Sequence, residues 1–228
     1  MDVRKMLARL NPAVCRFDIG RGGIPEWTPQ DVAAALGMVP AGLGRELLCF
    51  LWWPDGAAIT REDLMDLLRD AQLDEWMRRR HNLEAAQLAV HIAEERADGT
   101  HGPMRGTLSR ARSELAGAKA DMWPNVGPQS LYKPIREAIL REMAAPELCR
   151  HCGGRGQAMI DSRVITCQHC GGFGRAKVSD RRRADAIGRD EKTYRQAWRL
   201  PYEWLFDVCV VAEKDAANAL RDALGMRG

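Results

Sequence analysis

Cys149-Arg150-His151-Cys152-Gly153-Gly154-Arg155-Gly156 and Cys167-Gln168-His169-Cys170-Gly171-Gly172-Phe173-Gly174 are two copies of one pattern, Cys-x-x-Cys-x-Gly-x-Gly. Fourteen residues separate Cys152 from Cys167. Four thiolates in two close pairs suit a tetrahedral zinc ion, which favours sulfur and imposes no d-electron geometry of its own. The glycines let the backbone turn tightly around the metal, because glycine reaches positive φ without steric cost. A single Cys-x-x-Cys would carry little weight. Two with the same glycine spacing assign Cys149, Cys152, Cys167 and Cys170 as ligands of one structural Zn2+. Four sulfurs close the shell and leave no position for water or substrate, so the ion is expected to hold shape and not to catalyse. His151 and His169, between the paired cysteines, are then expected on the surface of the knuckles. His81, His91 and His101 show no metal spacing.

Between the knuckles, residues 159–166 carry Ile160, Val164, Ile165 and Thr166 and predict a short β-hairpin. Outward from it the chain reads as helical. Upstream, Pro134 opens a helix that aligns Ile135, Ala138, Ile139 and Met143, with Pro146 ending it before Cys149. Thr60 and Asp63 form a capping-box-like start for a helix with Leu64, Leu67, Leu68 and Ala71 on one face. A second, longer helix is expected over 74–96, with Ala85, Leu88, Ala89, Ile92 and Ala93 as its stripe and Asp98-Gly99-Thr100-His101-Gly102-Pro103 as its stop. Residues 104–129 read as a looser segment. Residues 31–36 predict a helix capped by Gly37, while Pro40, Gly42 and Gly44 oppose another helix after it, so 31–47 is expected to serve as core or partner contact.

Downstream of the knuckles, Ser179 is a good N-cap for a helix over 180–187, and Gly188 breaks it. A short helix fits 191–198, and Pro201 suits the first position of a long one reaching 224. Its expected apolar stripe is Leu205, Val208, Ala212, Ala216, Ala219 and Ala223. The fold class is therefore mainly α: a helical bundle with a small β-hairpin zinc-binding insert and a C-terminal helix-turn-helix. Four regions follow, an irregular N-terminal arm over 1–27, a helical region over 28–148, the knuckle pair over 149–176, and the helix-turn-helix with its long helix over 177–228.

Composition narrows the class further. The 228 residues are 46% hydrophobic and 29% charged, which fits a globular chain. The longest apolar run, residues 47–53, is far below the roughly 20 residues of a membrane helix, so no membrane partner is expected. Charges throughout residues 1–10 and the lack of an apolar core there argue against a secretory signal. Seven cysteines in an unexported chain point to a reducing cytoplasm, where thiolates bind metal more often than they pair. Cys15, Cys49 and Cys209 lie outside the knuckles, and the last two, in apolar surroundings, read as core fillers. The net charge of +3 is uneven: residues 150–200 hold 12 Lys/Arg against five Asp/Glu, a balance of +7, while both flanks are mildly acidic. Concentrated positive charge is the footprint of a polyanion partner.

Within that basic block, residues 180–198 have the helix-Gly-helix spacing of a helix-turn-helix. Ala184, Ile187, Tyr194 and Ala197 are its inward positions. Lys192, Thr193, Arg195 and Gln196 are left outward, able to meet base edges and phosphates in a major groove. Arg181, Arg182 and Arg183 are placed for backbone contacts, and Arg199 is counted with the same surface. Enzymatic signatures are missing: no phosphate loop, no Gly-x-Ser-x-Gly elbow and no His-Glu-x-x-His helix. A non-enzymatic role is expected. Most tryptophans read as core, but Trp52-Trp53-Pro54 is the best candidate for a protein-contact edge, since neighbours on a helix cannot both face one core.

The order of motifs carries a resemblance. Knuckles, then residues 179–188, then Tyr194-Arg195-Gln196-Ala197-Trp198, Pro201-Tyr202-Glu203-Trp204-Leu205 and Ala212-Glu213-Lys214-Asp215-Ala216-Ala217-Asn218-Ala219-Leu220 resemble the zinc-containing type of the lambdoid bacteriophage late-gene antitermination protein Q. Asp31-Val32-Ala33-Ala34-Ala35-Leu36-Gly37-Met38 is similar to that family's opening helix. The resemblance implies a protein of the bacterial host cytoplasm that binds duplex DNA at a late promoter and engages RNA polymerase paused there with its σ factor. It then travels with the polymerase, in one or more copies, and stops terminator hairpins from dislodging the transcript. The four cysteines would be its zinc ligands, and Lys192, Thr193, Arg195 and Gln196 would lie on its DNA-reading helix. Two other classes compete: a DnaJ-like zinc-containing chaperone module, which would carry four such repeats and two ions, and a phage DNA-processing enzyme with a structural zinc, which needs an acidic metal cluster.

Overall fold

A computed structural model describes residues 3–10, 27–97, 104–124, 132–144, 149–153, 155–160, 163–172 and 174–226. Before the knuckles the chain forms α1 (Val3–Leu10), α2 (Pro29–Met38), α3 (Leu43–Trp52), α4 (Arg61–Ala97), α5 (Met104–Asp121) and α6 (Lys133–Ala144). Between them lie β1 (Gln157–Ile160) and β2 (Arg163–Thr166), an antiparallel pair in the register Gln157↔Thr166 to Ile160↔Arg163. After them come α7 (Asp180–Ala186), α8 (Glu191–Thr193), a π-helical turn (Tyr194–Trp198) and α9 (Arg199–Ala223). The mainly helical class with one small hairpin is as expected. No helix among the described residues is long and apolar enough to cross a membrane.

Helix α9 runs through two cores and spans about 37 Å. Its first half buries Tyr202, Leu205 and Cys209 with Leu47 of α3, Leu64 and Leu68 of α4, and Ile135 and Ile139 of α6. Each leucine and isoleucine of this set contributes roughly 1.5–3 kcal/mol on leaving water. Its second half buries Ala216, Ala217 and Leu220 with Val32 and Leu36 of α2, Leu48 of α3, and Val3 and Leu7 of α1. The buried stripe is thus Tyr202, Leu205, Cys209, Glu213, Ala216 and Leu220, rotated from the expected one, because Glu213 is inside. It accepts from Arg4 Nε and Nη2 at 2.7 and 2.8 Å and from Trp52 Nε1 at 3.0 Å. A carboxylate satisfied three times over can replace an apolar residue in a core. Burial also pushes the Cys49 and Cys209 thiols up, to about 11 and about 12, as suits core fillers.

Several expectations need correction. The N-terminal arm is not irregular throughout, because α1 buries Val3, Met6 and Leu7; residues 11–26, Cys15 among them, lie outside the described residues. Helix α2 starts earlier and ends later than 31–36. Thr28 Oγ1 accepts from Asp31 N–H at 3.2 Å while Asp31 accepts from Thr28 N–H at 2.8 Å, a capping box, and the helix passes through Gly37 to end at Val39. Trp52 and Trp53, although neighbours, are both half-buried against the second core. Helix α4 is continuous over 37 residues, and residues 104–121 are helical, so the two make an antiparallel hairpin. Arg112 meets Glu94 at 2.9 Å at one end, and Arg79 Nη1 donates to the Asp121 carbonyl at 2.6 Å at the other. Their small core is Val90, Ala93 and Ala111, which leaves Leu88 58% exposed and Ile92 38% exposed. The helical period was right, but α5 takes the neighbouring face.

Two backbone details shape the core. Pro201 does not open a helix, since α8, the π turn and α9 follow without a break. Proline removes the amide that would bond the Ala197 carbonyl and crowds that turn. The wider π turn, in which Arg199 N–H donates to the Tyr194 carbonyl, sits at that place. Helix α3 forms despite Gly44 because the glycine is where α9 comes closest. A Cβ there would lie 2.4 Å from the Ala212 carbonyl oxygen. Gly44→Ala should therefore lower the stability measured by urea unfolding by about 1–3 kcal/mol. Gly37→Ala on α2, where a Cβ meets nothing within 4 Å, should instead be neutral or stabilising by up to about 1 kcal/mol. Equal effects would show that the α3–α9 approach is not tight.

Candidate metal centre and the cationic face beside it

The two knuckles are related by a local two-fold. Cys149 N–H donates to the Gly174 carbonyl and Cys167 N–H to the Gly156 carbonyl, both at 2.9 Å, so the first cysteine of each knuckle is held by the last glycine of the other. Gly156 N–H points at Cys152 Sγ (3.3 Å) and Gly174 N–H at Cys170 Sγ (3.2 Å). Both glycines sit at φ 71°. At Gly156 a Cβ would also fall 2.2 Å from the Gly172 carbonyl oxygen, so glycine is required there for conformation and for space. The His151 and His169 rings stack face to face with centroids 3.3 Å apart on the exposed side of the pair.

All four sulfurs are buried and lie within 4.8 Å of one another. Cys149 Sγ is 4.0 Å from Cys167 Sγ, and Cys152 Sγ is 3.8 Å from Cys170 Sγ. Sulfurs about 2.3 Å from one tetrahedral ion stand about 3.8 Å apart, so the cluster fits a single metal ion. Burial, then the neighbouring Cys167 and Cys152, push the Cys170 thiol up to about 11 against the opposing amides of Gly174 and Gly172. A cation is what would hold four such groups as thiolates. The amides aimed at sulfur would orient and stabilise them in the same way.

Comparison with protein-family models, with curated proteins and with solved structures finds no match.

From Gly174 the chain passes through residues 175–178 to Ser179, whose Oγ accepts from Arg182 N–H at 3.3 Å and starts α7. Gly188, at φ 67°, separates α7 from α8. Asp190 starts α8 by accepting from Thr193 N–H at 2.9 Å and from the Thr193 hydroxyl at 2.6 Å. Those bonds hold its carboxyl below the usual range, hydroxyl first. The expected inward residues Ala184, Ile187 and Tyr194 are buried, with Ala197 half-buried beside them.

Arg181, Arg182, Lys192, Arg195, Gln196 and Arg199 are exposed, and Thr193 is half-buried with its hydroxyl committed to Asp190. Arg195 pairs with Asp180 at 3.1 Å and with Glu191, and Arg199 with Glu203 at 3.0 Å. Exposed pairs of this kind are weak and screened by solvent, so an incoming phosphate displaces them at little cost. Arg183 does not belong to this surface. Its guanidinium is buried and grips Glu142 with two bonds, Nε to Oε2 at 3.0 Å and Nη2 to Oε1 at 2.7 Å. Tyr202 OH donates to the same Oε2 at 2.7 Å, and the Arg183 fork lies over the Tyr202 and Phe206 rings. The sequence signal for this was thin: in a run of three arginines only the position four residues before the inward Ile187 marks Arg183 as the buried one.

Proposed function

We propose that the protein is a phage transcription antitermination factor, a non-enzymatic protein that binds late-promoter DNA, joins paused RNA polymerase with its σ factor and suppresses terminators. The order of motifs that resembles the Q proteins motivates it. The observation that supports it best is a cluster of exposed side chains able to bind DNA. Arg181, Arg182, Lys192, Arg195, Gln196 and Arg199 are all exposed on one short stretch following the knuckles, inside the segment of +7 balance. Lys192, Arg195 and Gln196 are the types that read base edges, bidentate arginine on guanine above all, whereas Arg181, Arg182 and Arg199 suit phosphates. Thr193 stands at the margin of this set. The cysteine cluster takes one zinc ion as a structural brace, since four thiolates leave no open position. In this role α7 and the start of the continuous helix that follows Gly188, α8 with the π turn over Tyr194–Trp198, act as a helix-turn-helix whose second arm enters the major groove.

Two measurements test this. In transcription reactions with host polymerase, σ factor and the late promoter of the encoding phage, the purified chain should raise readthrough of downstream terminators. No increase overturns the proposal. For the contact surface, Arg195→Ala should weaken binding to the cognate duplex by about 1–3 kcal/mol in fluorescence anisotropy and change binding to a scrambled duplex much less. Equal loss on both duplexes would make Arg195 a phosphate contact without a reading role.

A further inference from the structure

A cavity of about 330 Å³ opens between α6, α7, the first turns of α9 and residues 175–178, which leave the second knuckle. That volume is in the range of small-molecule sites. Among the described residues its wall carries the guanidinium groups of Arg141, Arg175, Arg182 and Arg183 and one carboxylate, Glu142. Glu142 is already saturated by the Arg183 fork and the Tyr202 hydroxyl. Glu213, the acid that acts most strongly on Arg175, is itself held by Arg4 and Trp52. Arg141 places its donors on neutral carbonyls, Glu137 O at 3.2 Å and Ala186 O at 3.3 Å. Arg141 and Arg175 are therefore two cations with no direct carboxylate partner among the described residues, facing a half-open volume whose remaining lining is mainly apolar, with Ala138, Val178 and Phe206. Burial pushes the half-buried Arg175 guanidinium below its ordinary value, so its charge is held there at a cost that an anion would relieve.

We infer that this cavity binds a phosphate-bearing small molecule of nucleotide size, with phosphoryl oxygens between Arg141 and Arg175 and the organic part against Val178 and Phe206. Planar guanidinium forks match phosphoryl oxygens two at a time. A monocarboxylate would neutralise only one of the two charges of Arg141 and Arg175, whereas a phosphate dianion or a diphosphate matches both. The inference does not rest on the antitermination reading, because Arg141 and Arg175 are neither knuckle ligands nor members of the DNA-contacting set.

Isothermal titration calorimetry of the full, zinc-loaded chain tests it, with adenosine diphosphate, inorganic pyrophosphate and adenosine as probes. Adenosine diphosphate and pyrophosphate should bind and adenosine should not. Arg175→Gln and Arg141→Gln should each weaken adenosine diphosphate by roughly tenfold or more, the loss of a charged hydrogen bond. Arg163→Gln, exposed on β2, should leave it unchanged. Should Arg175→Gln fail to fold, the exposed Arg141→Gln decides alone. No heat from either phosphate at millimolar concentration, or equal weakening by Arg163→Gln, overturns the site. So does a random duplex that binds through Arg175 while adenosine diphosphate does not, since the phosphate would then be that of a nucleic-acid backbone. A failed readthrough assay with these heats intact would remove the antitermination reading and leave the cavity standing.

Discussion

Cys167→Ser is expected to empty the knuckle pair of metal and to unfold it. Structural zinc in small finger domains contributes apparent binding energies of about 10–16 kcal/mol near neutral pH, and that energy is folding energy. Among the described residues little else holds the segment 149–174. The hairpin is four residues a strand with Val164 exposed, and an isolated two-stranded hairpin is marginal at best in water. The crossed bonds from Cys149 to Gly174 and from Cys167 to Gly156 act only while both knuckles are held together. Metal analysis should find one zinc ion per wild-type chain and none in Cys167→Ser, and chelation should reproduce the variant. Amide hydrogen exchange should show protection lost over 149–174 and retained in α3, α6 and α9, whose cores include no knuckle residue. Unchanged metal content sinks the site, and two ions per chain would favour the DnaJ-like alternative.

What could be read from the sequence was local, and what could not was tertiary. The knuckles, the hairpin between them and the Ser179 cap were legible because each is decided within a few residues by sulfur, glycine or hydroxyl chemistry. The buried face of α6, Ile135, Ala138, Ile139 and Met143, was legible because one side of that helix meets the core along its whole length. Helix α1 was not, since the Arg4 partner that ties it down, Glu213, is 209 positions away. Propensity counted Gly44 against α3, whereas the α9 backbone demands a residue without a side chain there. Among its described side chains, helix α5 offers Leu108, Ala111 and Leu115 as the apolar contacts to α4, too sparse a pattern to separate it from a loop.

The candidate site divides along the same line. Residue types and charge placed a cationic surface after the knuckles, but only packing distinguishes Arg183 from Arg181 and Arg182. One helical position turns it towards α6, where Glu142 waits. Nor does a sequence mark Arg141 and Arg175 as neighbours, because they meet across a cavity built from four separate segments.

Glu142→Ala is expected to destabilise the fold by about 3–5 kcal/mol, because it leaves the Arg183 guanidinium buried without a counter-charge. Burial alone would push that guanidinium down, but the two Glu142 bonds and its charge hold it above its ordinary value, so it stays charged in the core at every pH that the fold survives. The Tyr202 hydroxyl would lose its acceptor at the same time. Urea unfolding should show the loss as a lower midpoint. Replacing both partners, as Glu142→Leu with Arg183→Met, should recover most of it, since a buried pair exchanged for apolar side chains of similar volume is often neutral. The cycle of the two single variants and the double should therefore give a large coupling energy. The same experiment separates the three consecutive arginines. Arg183→Met should reduce DNA binding only as far as it reduces the folded fraction, while Arg181→Ala should weaken DNA binding and leave the midpoint where it was. An Arg183→Met chain as stable as wild type would mean that the pair is not buried in solution, and Arg183 would then return to the DNA-facing set.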